Sequence, residues 1–110
     1  MSLSSHVLDG VRGEPAVGVF VRWEHLVDGR WKRVAQTATG EDGRVTDWGG
    51  ADTGVGTHRL VFGSGEYFAA LGVETFYPEV VVVFAVTDAA RHHHVPLLLS
   101  PFAYSTYRGS

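Results

Sequence analysis

Six histidines are the side chains of this sequence best suited to move protons near neutral pH, because an unperturbed imidazole titrates there. Three are consecutive, His92, His93 and His94, and they open a stretch that runs to Tyr107-Arg108-Gly109-Ser110. Between them Ser100-Pro101 is flanked by short runs of branched, aromatic and hydroxyl residues, which predicts a hairpin. With the turn centred on Ser100-Pro101, His94 lies opposite Tyr107 and His92 opposite Gly109. Directly opposed residues of an antiparallel pair project to one side of the sheet. His94, Ser105 and Tyr107 then share a face, and His93 and Arg108 take the other. Two histidines converging on one pocket can divide proton transfer between them, one holding water and the other a substrate nitrogen. His92 and His94 also form a two-residue clamp of the kind zinc, copper or nickel uses. There is no cysteine to complete it, and no carboxylate is tied to it by spacing, so no metal site is expected. Ser100 and Ser105 lie in no nucleophile-elbow pattern. Gly63-Ser64-Gly65 is too short for a phosphate loop and lacks its lysine.

The elements that must position these residues are mostly strands. His6 to Asp9 predicts a short first strand, closed by a turn from Gly10 to Pro15. Val17 to His25 alternates, with Val19, Val21 and Trp23 on one face and Phe20, Arg22 and Glu24 on the other, as a half-buried strand does. Asp28-Gly29 is a hairpin signal, and Trp31 to Thr39 supplies its partner strand. Gly40 to Gly43 turns the chain into a short Arg44 to Asp47 segment, and Gly49 to Gly56 reads as a surface loop. Thr57 to Phe62 predicts another strand, Glu66 to Leu71 the one short helix, and Gly72 its terminator. Val80 to Val86 is apolar and β-branched throughout, as a strand buried on both faces would be. Seven or eight short strands joined by turns give an all-β, two-sheet sandwich, with residues 1–110 as one domain.

Composition narrows the function. A formal net charge of -3 and 19% charged residues give no electrostatic footprint for nucleic acid or an anionic membrane. The apolar runs are too short to span a bilayer, and no signal peptide or peroxisomal ending is visible. With zero cysteines a disulfide scaffold is excluded, and a cytoplasmic location is expected.

Several stretches carry a more specific signal. They are Ser5-His6-Val7-Leu8-Asp9 with Arg12-Gly13-Glu14-Pro15-Ala16, then Asp42-Gly43-Arg44-Val45, Gly65-Glu66-Tyr67-Phe68 and Glu74-Thr75-Phe76-Tyr77-Pro78-Glu79-Val80. Last come His94-Val95-Pro96-Leu97-Leu98-Leu99-Ser100-Pro101 and the terminal Tyr107-Arg108-Gly109-Ser110. In this order, through essentially the whole chain, they resemble the transthyretin-like proteins that hydrolyse 5-hydroxyisourate. The resemblance implies two four-stranded sheets with one short helix, and a homotetramer whose sites lie in a channel where two dimers meet. It implies a catalytic set of His6, Arg44, His94 and Tyr107, with Ser105, Arg108, Gly109 and Ser110 binding substrate and no cofactor. Arg44 would offer its fork of donors to an anionic, carbonyl-rich ring. Taken singly, each residue has a plainer reading: His6 as a surface or cap residue, Arg44 as a solvated strand start, His94 as a core histidine, Tyr107 as a subunit contact. Their joint match to one site outweighs those readings. The sequence departs from the family at His93, where tyrosine is usual; facing away from His94, it should touch packing rather than catalysis. His25 and His58 have no partner the sequence can name and read as surface residues. The rival function is a non-catalytic carrier of a small aromatic ligand on the same scaffold. Hormone carriers of that kind lack the histidine, arginine and Tyr-Arg-Gly-Ser set.

Overall fold

Along the first strand, β1 (Ser2–Asp9), Leu3, Ser5, Val7 and Asp9 are buried and alternate with Ser2, Ser4, His6 and Leu8, of which only Ser4 is also covered. That period of two turns one set to a core and the other to the outer face of a sheet. A computed structural model describes residues 1–110. β1 is the spine of the first sheet. It pairs in parallel with β8 (His92–Leu99) and antiparallel with the two-residue strands β2 (Glu14–Pro15) and β5 (Arg44–Val45). β9 (Tyr104–Thr106) closes this sheet against β8. The second sheet runs β4 (Arg30–Ala38), β3 (Phe20–Val27), β6 (Gly56–Phe62), β7 (Val80–Val86), antiparallel throughout.

The inner faces meet in a core of Leu3, Val7, Val45, Val95, Leu97 and Leu99 from the first sheet and Val19, Val21, Trp23, Leu60, Phe62 and Val80 from the second. The single helix, α1 (Ser64–Ala70), adds Phe68. It is tied to the end of β1 by the Tyr67 hydroxyl, which donates to Asp9 Oδ2 at 2.7 Å. The other Asp9 oxygen takes the backbone N–H of Val11 and Arg12. This all-β sandwich with one short helix is the architecture expected, with nine strands because the two-residue segments β2 and β5 count. No helix is long and apolar enough to cross a membrane.

Several boundaries differ from expectation for local reasons. The first strand begins at Ser2 rather than His6, because its backbone is held along its length by β8. Asp28 and Gly29 both take positive φ, 52° and 74°, as a tight hairpin demands. A bulge between Trp23 and Glu24 buries both residues. There Arg59 Nε donates to Glu24 at 2.6 Å, so the buried carboxylate has a charged partner. The helix starts two residues before the expected Glu66, and Gly72 follows it at φ 71°.

The expectation that Val80 to Val86 is buried on both faces is corrected. β7 is the edge strand of its sheet, and Val81 and Val83 are exposed on its outer side. His25 and His58 are also not surface residues. His58 is fully buried and shares the inner face of β6 with Leu60 and Phe62, stacked 4.2 Å from the half-buried His25. His58 Nδ1 accepts the Trp23 indole N–H at 3.0 Å, and Nε2 donates to the Gly54 carbonyl at 2.8 Å. These two bonds define a neutral ring.

Candidate functional site on the outer face of the first sheet

The even-numbered residues of β1 and β8 build the site. Register pairs His6 with Arg44 across β1 and β5, His6 with Pro96 across β1 and β8, and Ser4 with His94. His6, Arg44 and His94 therefore project from the same outer face, on adjacent strands about 4.8 Å apart. Arg44 is placed by its turn. Asp42 Oδ1 accepts the Arg44 N–H at 3.0 Å, and Gly43 takes φ 75° with its carbonyl receiving the Val7 N–H at 2.8 Å. A Cβ at Gly43 would stand 3.0 Å from Pro15 Cβ as well as strained. His6 Nε2 donates to the Asp42 carbonyl at 2.9 Å, which leaves Nδ1 as its lone-pair nitrogen when neutral.

His94 Nδ1 bonds the Ser4 hydroxyl at 2.7 Å. Burial lowers the pKa of His94, and the Arg44 guanidinium, followed by the imidazoles of His92 and His6, disfavours its protonation further. The ring is accordingly neutral at physiological pH, and its Nε2 has no protein hydrogen-bond partner.

The tail reaches this face in a register different from the expected one. The hairpin loop is Pro101-Phe102, not Ser100-Pro101, so Leu99 pairs with Tyr104, Leu97 with Thr106 and His94 with Gly109. The slip is two residues. It preserves which residues share a face, since only a one-residue slip inverts them. Ser105, Tyr107 and Gly109 still lie on the side of His94, while His93 points inward.

Between Leu97–Thr106 and His94–Gly109 the ladder is interrupted. Pro96 stands there with no N–H to give, and its carbonyl is taken by the Thr106 hydroxyl at 2.7 Å. Tyr107 and Arg108 are thereby released from the strand and exposed. With Thr106 and His94 they border a hollow of about 290 Å³ at the edge of the sandwich, whose other wall is Val82 to Ala85 of β7. Gly109 is then pinned by its N–H to the His94 carbonyl at 2.9 Å. Ser105 and Ser110 are exposed.

No larger hollow of the chain gathers His6, Arg44 and His94. Arg44 borders a separate one with Thr37 and Asp47. The three groups stand on an open face rather than in a closed pocket. Nor do three or more His, Asp or Glu side chains converge as a metal-ligand set. The His92–His94 clamp is bridged instead by Ser4, whose hydroxyl bonds His92 Nε2 at 2.8 Å and His94 Nδ1 at 2.7 Å. His93 is buried, 6% exposed, and its Nδ1 has no partner. It points inward and borders the same hollow as His94 and Tyr107. Sequence reasoning weighed His92 only as half of a metal clamp and did not single out Ser2 or Ser4. Extending the alternation of β1 back to Ser2 would have placed both hydroxyls on the face of His6.

Two sheets packed face to face, with a histidine–arginine patch on the outside of one, define a β-sandwich protein. The HIUase/Transthyretin family model matches residues 3–109, and the chain belongs to that family. It is 43% identical over 112 residues to a 5-hydroxyisourate hydrolase of Caulobacter vibrioides, covering 98% of this chain and 97% of that protein. It is similar to the structure of Klebsiella pneumoniae 5-hydroxyisourate hydrolase at a TM-score of 0.88 and 34% identity, over 100% of both chains. Sea bream transthyretin in complex with thyroxine is similar too, at a TM-score of 0.89 and 30% identity over 99% of this chain and 95% of that one.

Proposed function

We propose that this chain hydrolyses 5-hydroxyisourate to 2-oxo-4-hydroxy-4-carboxy-5-ureidoimidazoline, with residues 1–110 acting as one hydrolase unit. The observation that carries the reading is the convergence of His6, Arg44 and a neutral His94 on one face, with Gly109 bonded to His94. His94 Nε2 takes a proton from water, and the hydroxide oxygen bonds to the C6 carbonyl carbon of the ring. The carbonyl π electrons move to oxygen, and Arg44 stabilises that developing oxyanion with fixed donors. Collapse breaks the C6–N1 bond, and N1 takes the proton back from a histidine. His6, steered by its bond to Asp42, holds the substrate. Tyr107 and Arg108, with Ser105 and Ser110, form the wall from which hydrogen bonds reach the ring. The carbonyl is already electrophilic, so the steps use no cofactor.

An open face does not exclude water, and hydrolysis with ordered protons benefits from enclosure. A second copy covering this face would supply it. We therefore place the site at a contact between dimers of a homotetramer.

The test is the ultraviolet decay of freshly made 5-hydroxyisourate with and without the protein, after chelator treatment. Acceleration that survives the chelator and is lost in His94→Ala supports the reading. A folded protein that leaves the spontaneous rate unchanged would turn it towards the small-ligand carrier.

A further inference from the structure

Four side chains on the outer face form a continuous hydrogen-bonded ladder that ends at His94. Ser2 Oγ lies 2.6 Å from His92 Nδ1, His92 Nε2 lies 2.8 Å from Ser4 Oγ, and Ser4 Oγ lies 2.7 Å from His94 Nδ1. The register makes this possible: Ser2 is the partner of His92 and Ser4 of His94 in the parallel β1–β8 pair. An exposed strand histidine has water available for both nitrogens, yet both nitrogens of His92 are held by hydroxyls of the neighbouring strand. We propose that His92 is a positioning residue for the reaction, and that Ser2–His92–Ser4–His94 is a reversible proton relay that sets the tautomer of His94. This rests on the reading of His94 as the base.

The chemistry of the links supports a relay rather than a brace. A carbonyl or carboxylate against His94 Nδ1 would only accept, and would fix one polarity for good. A hydroxyl both donates and accepts, so every rung can reverse. In the resting polarity His94 Nδ1–H donates to Ser4, Ser4 donates to His92 Nε2, and His92 Nδ1–H donates to Ser2. That leaves the His94 Nε2 lone pair free for water.

When Nε2 gains a proton, the Nδ1 proton passes to Ser4 Oγ and the Ser4 proton to His92 Nε2. The His92 Nδ1 proton passes to Ser2 Oγ, and the Ser2 proton to solvent. One proton enters and one leaves, and no ring holds a full charge. Collapse of the intermediate runs the ladder backwards: Nε2–H goes to the leaving N1 and solvent returns a proton at Ser2. His94 thus serves as base and then acid in one turnover.

The charge around the site favours such a device. The groups acting on His94 are Arg44, His92 and His6, none of them a carboxylate, so an imidazolium there would be poorly stabilised. The other ionisable groups facing the ladder are Asp47 and the Met1 amino group beside His92, with Tyr107 and Arg108 beside His94. Ser2 and His92 border the hollow lined by Asp47, which gives the outer end of the ladder a route to solvent.

The test compares Ser4→Ala, His92→Gln and Ser4→Thr with the unaltered protein. It reads steady-state rates against pH, the solvent deuterium isotope effect, and the ¹⁵N shifts of the His94 ring. For Ser4→Ala and His92→Gln we expect kcat to fall about tenfold to hundredfold, less than the direct loss of an acid–base group. KM should stay within about twofold. The isotope effect should change, and the His94 ¹⁵N shifts should move away from the Nδ1–H form. Ser4→Thr, which keeps the hydroxyl, should restore most of the rate. Unchanged pH profiles, isotope effects and ¹⁵N shifts in both disrupting variants would overturn the relay. The hydrolase reading fails separately, if His94→Ala turns over as fast as the unaltered protein. In that event the ¹⁵N shifts, which need no substrate, still decide whether the ladder sets the tautomer.

Discussion

At the scale of single residues, the pKa of His94 gives the reaction its pH dependence. Burial and the Arg44 guanidinium, with the neighbouring His92 and His6 imidazoles, lower it from the usual imidazole range. The neutral, proton-accepting ring therefore persists on the acid side of that range. We expect kcat/KM to be flat through neutrality and to decline only below about pH 6.5 on acidification. Replacing Arg44 by Gln removes one cationic neighbour, so the His94 titration seen by NMR should move upward while turnover falls. A downward move would contradict the electrostatic account. Gly109 is a second point of sensitivity. A Cβ there would come within 2.9 Å of His94 Cγ, so Gly109→Ala must displace either the imidazole or the tail. Turnover should fall about a hundredfold or more, by analogy with misplacement of reacting groups. Circular dichroism and melting temperature should stay near those of the unaltered protein, because the contact lies outside the core.

At the scale of elements, the inner face of β6 carries its own titration. His58 is neutral between Trp23 and Gly54, and burial lowers its pKa from 6.5. A histidine whose folded pKa lies below its unfolded one binds more protons in the unfolded chain as pH falls. Its stabilising contribution is complete above about pH 6.5 and is lost progressively below it. His94 acts with the same sign. Urea unfolding at pH 7.5 and 5.5, a window above most carboxylate titration, should therefore give a lower midpoint at 5.5. In His58→Phe that pH dependence should shrink, although the variant starts less stable because the Trp23 N–H loses its acceptor. An equal midpoint at both pH values would mean that neither histidine is held neutral by the fold. The tail is the other informative element, since Pro96 interrupts its ladder and leaves Tyr107 and Arg108 beside His94 rather than locked into a strand.

At the scale of the whole molecule, two surfaces are left without partners. One is the outer face of the first sheet, where the site stands among exposed Leu8, Leu98 and Tyr107. The other is the edge strand β7 with exposed Val81 and Val83. Edge strands that expose apolar side chains are templates for association. Sedimentation equilibrium should return a mass of four chains of 11.9 kDa. Val81→Lys, on the exposed outer side of β7 and outside the hollow that His94 borders, should lower that mass and reduce activity as the face is uncovered. A fully active monomer would sever the site from assembly.

Much of this was legible in the sequence, where local physics decides. Alternation placed Val19, Val21 and Trp23 on the inner face, Asp28-Gly29 made its tight turn, and Gly72 ended the helix, because each depends only on neighbouring residues. The motif match brought forward His6, Arg44 and His94, and the structure sets these three on one face. Tertiary contact decided the rest. The neutrality of His58 depends on Trp23 and Gly54, which no local pattern ties to it. The register of the tail depends on the turn closing at Pro101-Phe102, and the exposure of β7 on its place at the edge of a sheet. The Ser2–His92–Ser4–His94 ladder exists only because β1 and β8, distant in sequence, run parallel with serine beside histidine at two alternate rungs, Ser2–His92 and Ser4–His94. Short-range periodicity assigns a side chain its face, but its hydrogen-bond partners across a parallel pair are set by long-range pairing of the backbone.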